Sequence, residues 1–296
     1  MYFIPKGIIP PIITPTNDDQ SVNFKVLKEL TNHLVEQGVH GVFCFGTTGE
    51  FYAFNLDVYR KVLKTVKDSL YGRIPIYAGA NSITTNGVIE IIRLCEDVQV
   101  DAISVLTPTF ISQTQDELYN FYKEIAESTK LPIILYSNPP KTNIQMTPSL
   151  VAKLAEIDNI IAIKDSSGDM TNTTEYIRLT RHIKNFNVLM GRDTLIHAAL
   201  CCGASGAIAS CANVAPKIAS DIYNKYTSGD LKGSLEAQFT FAPLRIACSM
   251  GTFPAVIKEG LSMQGFKVGN CVAPISELKE TEKIQLKEVL QGMKLI

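Results

Sequence analysis

The chain has 296 residues, of which 46% are hydrophobic and 19% are charged, and its formal net charge is −1. This balance is typical of a soluble globular protein with a sizeable core, and it gives no reason to expect a nucleic acid or an acidic membrane surface as partner. No stretch approaches the ~18 apolar residues of a membrane span. The apolar, proline-containing start lacks a basic segment and a cleavage site, so we expect no signal peptide.

The seven cysteines are an odd number, and they are scattered through apolar segments. Because no Cys-x-x-Cys or His-x-x-x-His spacing occurs, we expect no structural zinc or other metal site. We predict buried, reduced thiols in a cytoplasmic protein, with Cys201 and Cys202 on a helix.

Eight short apolar runs recur along the chain, and each is followed by a helical pattern. The runs predict strands at 7–13, 41–45, 74–78, 102–106, 132–136, 160–164, 187–190 and 206–209. Thr147-Pro148 predicts the start of the fifth helix, as an N-cap followed by proline at the first helical position. The sixth helix is the least clearly patterned, near 173–182, and Asp193 is expected to cap a helix that stops at Gly203.

Eight strand–helix units predict the α/β class and a (β/α)₈ TIM barrel. A doubly wound sheet competes, but it usually has fewer strands and a Gly-x-Gly-x-x-Gly turn after the first strand. Here the first strand runs into Thr14-Pro15-Thr16. From Ser228 onward the pattern is helical only. We therefore predict a barrel over residues 1–227 and a small C-terminal helical region over 228–296.

The carboxyl ends of barrel strands converge on one site, and Lys164 ends an isoleucine-rich strand. A lone lysine there is more often the point where a strand reaches water, so other residues must support a catalytic role. An amine attacks a ketone only when it is neutral, and burial disfavours its charged form. With a 2-oxo acid the product is a Schiff base, which stabilises a neighbouring carbanion.

Two other strand ends fit this chemistry. Tyr136 ends the adjacent strand, where its phenol could move protons near the lysine, although an ordinary core or rim tyrosine is an equal alternative. The turn Gly46-Thr47-Thr48-Gly49 offers hydroxyls and backbone N–H groups that can hold a carboxylate, a weak indication by itself. Because no lysine follows it as in a P-loop, a small oxo acid is favoured over a nucleotide.

Four motifs occur in order along the chain: Gly46-Thr47-Thr48-Gly49-Glu50, Leu135-Tyr136-Ser137-Asn138-Pro139, Ile163-Lys164-Asp165 and Gly206-Ala207-Ile208. Together they resemble the family of dihydrodipicolinate synthase and N-acetylneuraminate lyase, the pyruvate-dependent class I aldolases. The resemblance covers nearly the whole chain. It implies a barrel with C-terminal helices, a homotetramer, a 2-oxo acid substrate, and no metal or diffusible cofactor.

The resemblance also implies a role for each matching residue. Lys164 would form the Schiff base, Tyr136 would be the acid/base phenol, and Thr47 would relay protons. The remaining positions would bind substrate: Thr48 through its hydroxyl, Gly191 and Ile208 through their backbone, and Lys141 through its charge. Ser166 and Ser210 lie where lyases of the family bind sugar hydroxyls, and simple turn chemistry is the alternative for both.

Three segments depart from the family pattern. Phe110 stands where the synthase has a tyrosine that reaches a neighbouring subunit's site, so a relay hydroxyl is missing. Lys141 stands where the synthase has an arginine, and it keeps the charge without the bidentate fork. Asp193 matches an aspartate of the sialic acid lyases, but the glutamate that follows it there is absent; a simple helix N-cap explains Asp193 equally well.

These observations predict a Schiff-base-forming lyase that makes or breaks a carbon–carbon bond next to a 2-oxo acid such as pyruvate. The departures favour a 2-oxo-3-deoxy sugar acid or a hydroxy-2-oxoglutarate as substrate. The alternatives are dihydrodipicolinate (4-hydroxy-tetrahydrodipicolinate) synthase, N-acetylneuraminate lyase, and a Schiff-base deaminase or dehydratase. The alternative from another class is a sensor that binds an oxo acid without turning it over.

Overall fold

The computed structural model describes residues 3–296, and eight parallel strands in it curl into a barrel surrounded by helices. The strands are β1 Gly7–Ile8, β2 Val42–Cys44, β3 Ile76–Gly79, β4 Ala102–Leu106, β5 Ile133–Ser137, β6 Ile160–Asp165, β7 Asn187–Met190 and β8 Gly206–Ala207. From β2 to β8 each strand pairs with the next along the chain, and β8 pairs with β1. The predicted (β/α)₈ barrel is therefore confirmed.

Twelve helices in the described part of the chain accompany these strands. They are α1 Phe24–Glu36, α2 Leu56–Leu70, α3 Thr85–Val98, α4 Gln115–Glu127, α5 Pro139–Thr142, α6 Pro148–Leu154, α7 Met170–Thr180, α8 Ile196–Cys202, α9 Pro216–Thr227, α10 Leu231–Ala247, α11 Ala255–Met263 and α12 Glu280–Gly292. No helix within residues 3–296 combines the length and the apolarity that a membrane crossing requires.

The first strand is shorter than the predicted 7–13. Pro10 and Pro11 have no N–H to donate to a ladder, so regular pairing stops after Ile8. The chain nevertheless continues beside β2, because Phe43 N–H donates to the Pro10 carbonyl and Ile12 N–H donates to the Phe43 carbonyl, both at 3.0 Å. These bonds close the barrel between its first and second strands.

The inside of the barrel is filled by one buried side chain from each strand or the residue next to it. These side chains are Ile9, Phe43, Tyr77, Ala102, Ile134, Ala162, Leu189 and Ile208. Alternate strand residues pack outward against the helices, which explains why the strands are apolar without interruption. Tyr136 and Lys164 lie two residues beyond Ile134 and Ala162, so their side chains point to the same interior at its carboxyl end.

The sixth predicted helix is present as α7, although it begins and ends earlier than 173–182. Its apolar pattern is weak because Asn172 and Thr173 are buried on its inner face. Both donate to a carboxylate oxygen of Asp165, at 3.4 and 2.7 Å. The polar residues that obscured the helix therefore anchor it to the end of β6.

Asp193 does not cap α8, and that prediction was wrong. The helix begins only at Ile196, after a 3₁₀ turn, and no side-chain cap bond is made there. The Asp193 carboxylate instead accepts the backbone N–H of Cys211, at 2.8 Å. This bond ties the loop after β7 to the loop after β8.

The prediction of buried thiols holds for five cysteines and fails for Cys201 and Cys202, which are exposed. The buried face of α8 is formed by Ile196, Ala199 and Leu200, at helical spacing. The next two residues therefore point away from the core.

The predicted C-terminal helices are present as α10, α11 and α12. Helix α10 packs against α9 and against the turn at Asp193–Leu195. It thereby carries residues from the end of the chain to the carboxyl side of the barrel. The division of the chain at 227/228 stays a prediction.

Candidate active site

A cavity of about 250 Å³ lies at the carboxyl ends of the strands. It brings together all the predicted site residues except Ile208: Thr47, Thr48, Tyr136, Lys141, Lys164, Ser166, Gly191 and Ser210. The loops after β2, β5, β6, β7 and β8 all contribute to its wall. The cavity is therefore at the position where barrel enzymes place their chemistry.

Lys164 and Tyr136 are direct partners across β5 and β6, and both are almost fully buried. The Lys164 Nζ lies over the Tyr136 ring, 3.9 Å from its centroid, and 5.5 Å from the Phe43 centroid. Its surroundings are therefore two aromatic faces on one side and the cavity on the other. Such a desolvated amine is a suitable nucleophile for a carbonyl carbon.

The Tyr136 hydroxyl lies among polar side chains. It lies 3.3 Å from the Thr47 Oγ1, where either group can donate, and it accepts the Asn138 Nδ2–H at 2.9 Å. Burial raises the pKa of Tyr136, but the charge of Lys164 and hydrogen bonds from Thr47 and neighbouring groups outweigh burial, so the pKa lies below its ordinary value. A phenol that ionises more easily beside an amine can take up and return a proton.

The turn that follows β2 holds Thr47 and Thr48 in place. Gly49 N–H donates to the Gly46 carbonyl at 3.1 Å, and the Thr14 hydroxyl donates to the Gly49 carbonyl at 2.8 Å. A Cβ on Gly46 would approach the Phe43 ring to 2.8 Å, so only glycine fits against it. On the cavity side, Thr48 Oγ1 lies 3.0 Å from Ser210 Oγ. The paired hydroxyls form a polar corner suited to a carboxylate.

Glu50, at the end of this turn, is fully buried and has the left-handed backbone angle φ = 55°. Its Oε2 lies 2.8 Å from Nζ of Lys258 on α11, and its Oε1 accepts the Val272 N–H. Lys258 also donates to the Asn270 carbonyl, at 2.7 Å. A buried ion pair therefore fastens the turn with Thr47 and Thr48 to the C-terminal helices.

Glu50→Gln is expected to lower the free energy of unfolding by about 3–5 kcal/mol, because it leaves the Lys258 ammonium buried without its countercharge. The double variant Glu50→Gln, Lys258→Met removes both charges and should recover most of that loss. Urea unfolding of the three proteins measures the effect. A double variant no more stable than Glu50→Gln would show that the ion pair is not the source of the loss.

Gly191 lines the cavity because of a close approach between loops. Its N–H donates to the Asp165 carbonyl at 2.7 Å, and a Cβ there would meet Ser166 Oγ at 2.1 Å. The Lys141 side chain is exposed to solvent and lies at the rim of the cavity. Ile208 is the one predicted site residue that does not line the cavity. Its side chain packs inside the barrel, and its backbone N–H donates to the Met190 carbonyl. Its backbone role in the site stays a prediction.

Part of the cavity wall consists of residues for which the sequence predicts no substrate contact. Arg192, Arg245, Cys248 and Phe253 line it, together with Asn138, Pro140 and Asp193. Asn138 belonged to a recognised motif, yet nothing showed that its amide reaches the Tyr136 hydroxyl. Arg245 belongs to α10 and Cys248 directly follows it, about 80 residues after β6, and no pattern in the sequence indicates that this helix returns to the barrel mouth.

Phe110 lies outside the cavity. Its side chain is 93% exposed, and its backbone angle is φ = 78°. The neighbouring Ile111 is also exposed. Phe110 therefore adds no group to the contact between Tyr136 and Thr47 of the same chain.

A family model described as the Dihydrodipicolinate synthetase family matches residues 4–293. The chain belongs to this family. A protein of Methanothrix thermoacetophila is 34% identical over 288 residues, covering 97% of each chain, and one of Methanocaldococcus jannaschii is 35% identical over 292 residues, covering 98% of this chain and 99% of its own. Both are named 4-hydroxy-tetrahydrodipicolinate synthase.

The solved structure of another family member is also similar to this chain. YagE, a prophage protein of E. coli K12 in the dihydrodipicolinic acid synthase family, was determined in complex with pyruvate. It has a TM-score of 0.94 and 28% identity, and the match covers 98% of this chain and 99% of YagE. The resemblance stated from the motifs is confirmed, and this member of the dihydrodipicolinate synthetase family is a lyase of the class I aldolase type.

Proposed function

We propose that this chain joins pyruvate to an aldehyde through a Schiff base on Lys164. The observation that carries the proposal is the contact between the Lys164 amine and the Tyr136 ring in a buried cavity. The pyruvate bound to YagE supports the choice of 2-oxo acid. An assembly into a homotetramer remains part of the proposal and rests on the family resemblance.

The proposed reaction begins with the lysine. The Lys164 amine adds to C2 of pyruvate, and the C2 oxygen leaves as water, which gives the protonated Schiff base. Loss of a proton from C3 yields an enamine, and its C3 forms the new bond to the aldehyde carbon. Water then hydrolyses the Schiff base, which frees the product and the amine. Cleavage of a hydroxylated 2-oxo acid follows the same steps in reverse.

The other residues serve proton transfer and binding. The Tyr136 phenol moves protons at the reacting carbons and exchanges them with the Thr47 hydroxyl, 3.3 Å away. Thr48 and Ser210 hold the pyruvate carboxylate. Gly191 and Ser166 form the facing wall together with the backbone at Ile208, and Lys141 meets the second substrate at the rim.

The acceptor is proposed first to be aspartate semialdehyde, as in a 4-hydroxy-tetrahydrodipicolinate synthase. The names of the relatives favour this activity, which the sequence by itself supports only as an alternative. An aldolase for a 2-oxo-3-deoxy sugar acid or a hydroxy-2-oxoglutarate is the second candidate. The position of Phe110 outside the cavity and the presence of Lys141 instead of arginine favour it.

The test is borohydride reduction in the presence of pyruvate, followed by peptide mass mapping. We expect a pyruvate-dependent mass increase on Lys164 alone. With the adduct established, parallel assays with aspartate semialdehyde and with 2-oxo-3-deoxy sugar acids separate the two candidates. A folded protein that gives no adduct, and whose Lys164→Ala variant binds pyruvate as tightly as the native protein, would support the sensor instead.

A further inference from the structure

We infer that Arg192 and Arg245 form a subsite for an anionic end group, a carboxylate or a phosphate ester, on the second substrate. The inference rests on the proposed function and names the class of aldehyde that it uses. Both arginines line the same cavity as Lys164. They reach it from different elements, since Arg192 follows β7 and Arg245 belongs to α10.

The charges around these arginines do not balance. In the described part of the chain, Arg245 has one carboxylate within 4.0 Å, that of Asp193, with Nε–Oδ2 at 3.7 Å, and Arg192 has none. The other oxygen of Asp193 already accepts the Cys211 N–H. One carboxylate therefore faces two guanidinium groups, and the cavity wall has a surplus positive charge.

The two guanidinium groups also affect each other. Partial burial lowers the pKa of Arg192, and the nearby charge of Arg245 lowers it further. Two like charges in a partly buried wall repel each other, and the charge of Asp193 offsets only part of this repulsion at Arg192. A bound carboxylate or phosphate would offset the remainder.

The simpler alternative is that Arg245 only neutralises the buried Asp193. A separation of 3.7 Å is too long for a strong charge-assisted hydrogen bond, so most of the five N–H donors of Arg245 stay available. Neutralising one aspartate also does not require Arg192. Paired, forked donors are the groups that bind carboxylates and phosphates in bidentate fashion.

The proposed function places the pyruvate carboxylate at the corner formed by Thr48 and Ser210, whose hydroxyl oxygens lie 3.0 Å apart. The arginines therefore serve the other reactant. An aldehyde that ends in a carboxylate or a phosphate would bind its charged end between Arg192 and Arg245 and present its carbonyl to the enamine on Lys164. A neutral aldehyde of the same length would lose this anchor.

The test compares aldehydes in matched pairs: succinic semialdehyde with butanal, and glycolaldehyde phosphate with glycolaldehyde, each with pyruvate. Arg245→Gln and Arg192→Gln should lower kcat/KM for the charged member about ten- to a hundredfold and change the neutral member by no more than about twofold. The aldehyde pair whose charged member loses more kcat/KM shows whether the subsite prefers a carboxylate or a phosphate. Arg178→Gln, on the exposed face of α7, is the control.

Equal losses with charged and neutral aldehydes, or no loss, would overturn the inference. A selective loss only in Lys141→Met would also overturn it, because the rim lysine would then bind the anion. Borohydride trapping of pyruvate on Lys164 in each variant separates the Schiff-base proposal from the subsite proposal. If the adduct forms but charged and neutral aldehydes are affected equally, only the subsite is refuted. If no adduct forms, calorimetry with succinate and with 2-phosphoglycolate still tests the subsite. Both arginine variants should lose the anion binding that the native protein shows, and retained binding in the variants would refute the subsite.

Discussion

Lys164→Met is expected to remove the pyruvate adduct and to lower kcat/KM at least about a thousandfold, because the variant has no amine to form the Schiff base. Methionine is apolar and of similar length, so it can occupy the space between the rings of Phe43 and Tyr136 without unfolding the barrel. Borohydride trapping and steady-state kinetics measure the two effects. Lys232→Met, at an exposed position of α10, should leave both unchanged.

A second readout reports on the local electrostatics of the Lys164 variant. The charge of Lys164 is the main influence that lowers the pKa of Tyr136 against the effect of burial. Without that charge, the pKa of Tyr136 should rise, so phenolate should form at higher pH. Ultraviolet difference titration measures this, with Tyr136→Phe identifying the contribution of this one phenol. A pyruvate adduct that persists on another lysine, or an unchanged Tyr136 titration, would contradict the assigned contact.

Tyr136→Phe is expected to lower kcat by about 10²- to 10⁴-fold, the usual contribution of a positioned acid or base. The phenyl ring preserves the packing under Lys164, so the pyruvate adduct should still form, although more slowly. Single-turnover trapping separates adduct formation from the later steps.

Tyr122→Phe is the matched control for this second prediction. Tyr122 is equally buried, and its hydroxyl donates to the Val105 carbonyl at 3.1 Å, away from the cavity. The control should cost about 1 kcal/mol of stability and leave kcat unchanged. If both variants lose kcat to the same extent, the loss comes from a general change in packing, and the role of Tyr136 as acid/base would be wrong.

The sequence alone determined the barrel and the central pair of the site. Each strand is buried on both faces, so it leaves an uninterrupted apolar run, and eight such runs with helices between them have few other arrangements. In a parallel barrel, consecutive strands are neighbours, which places the residues that end β5 and β6 side by side. The sequence therefore predicts that Tyr136 and Lys164 are adjacent, and they are direct partners in the sheet.

Only the tertiary structure decided which residues from distant segments complete the site. Arg245 and Lys258 belong to the C-terminal helices, and both act across long sequence separations, on the cavity and on the turn that ends at Glu50. The sequence of α10 does not identify its docking face, because the buried residues of this helix include a serine and a glutamine whereas several of its large apolar residues are exposed. Asp193 shows the same limit, because a local capping pattern fits it equally well until its partner, the N–H of Cys211 after the next strand, is known. Local patterns record the burial of a segment, whereas the pairing of buried charges depends on contacts between segments that only the folded chain brings together.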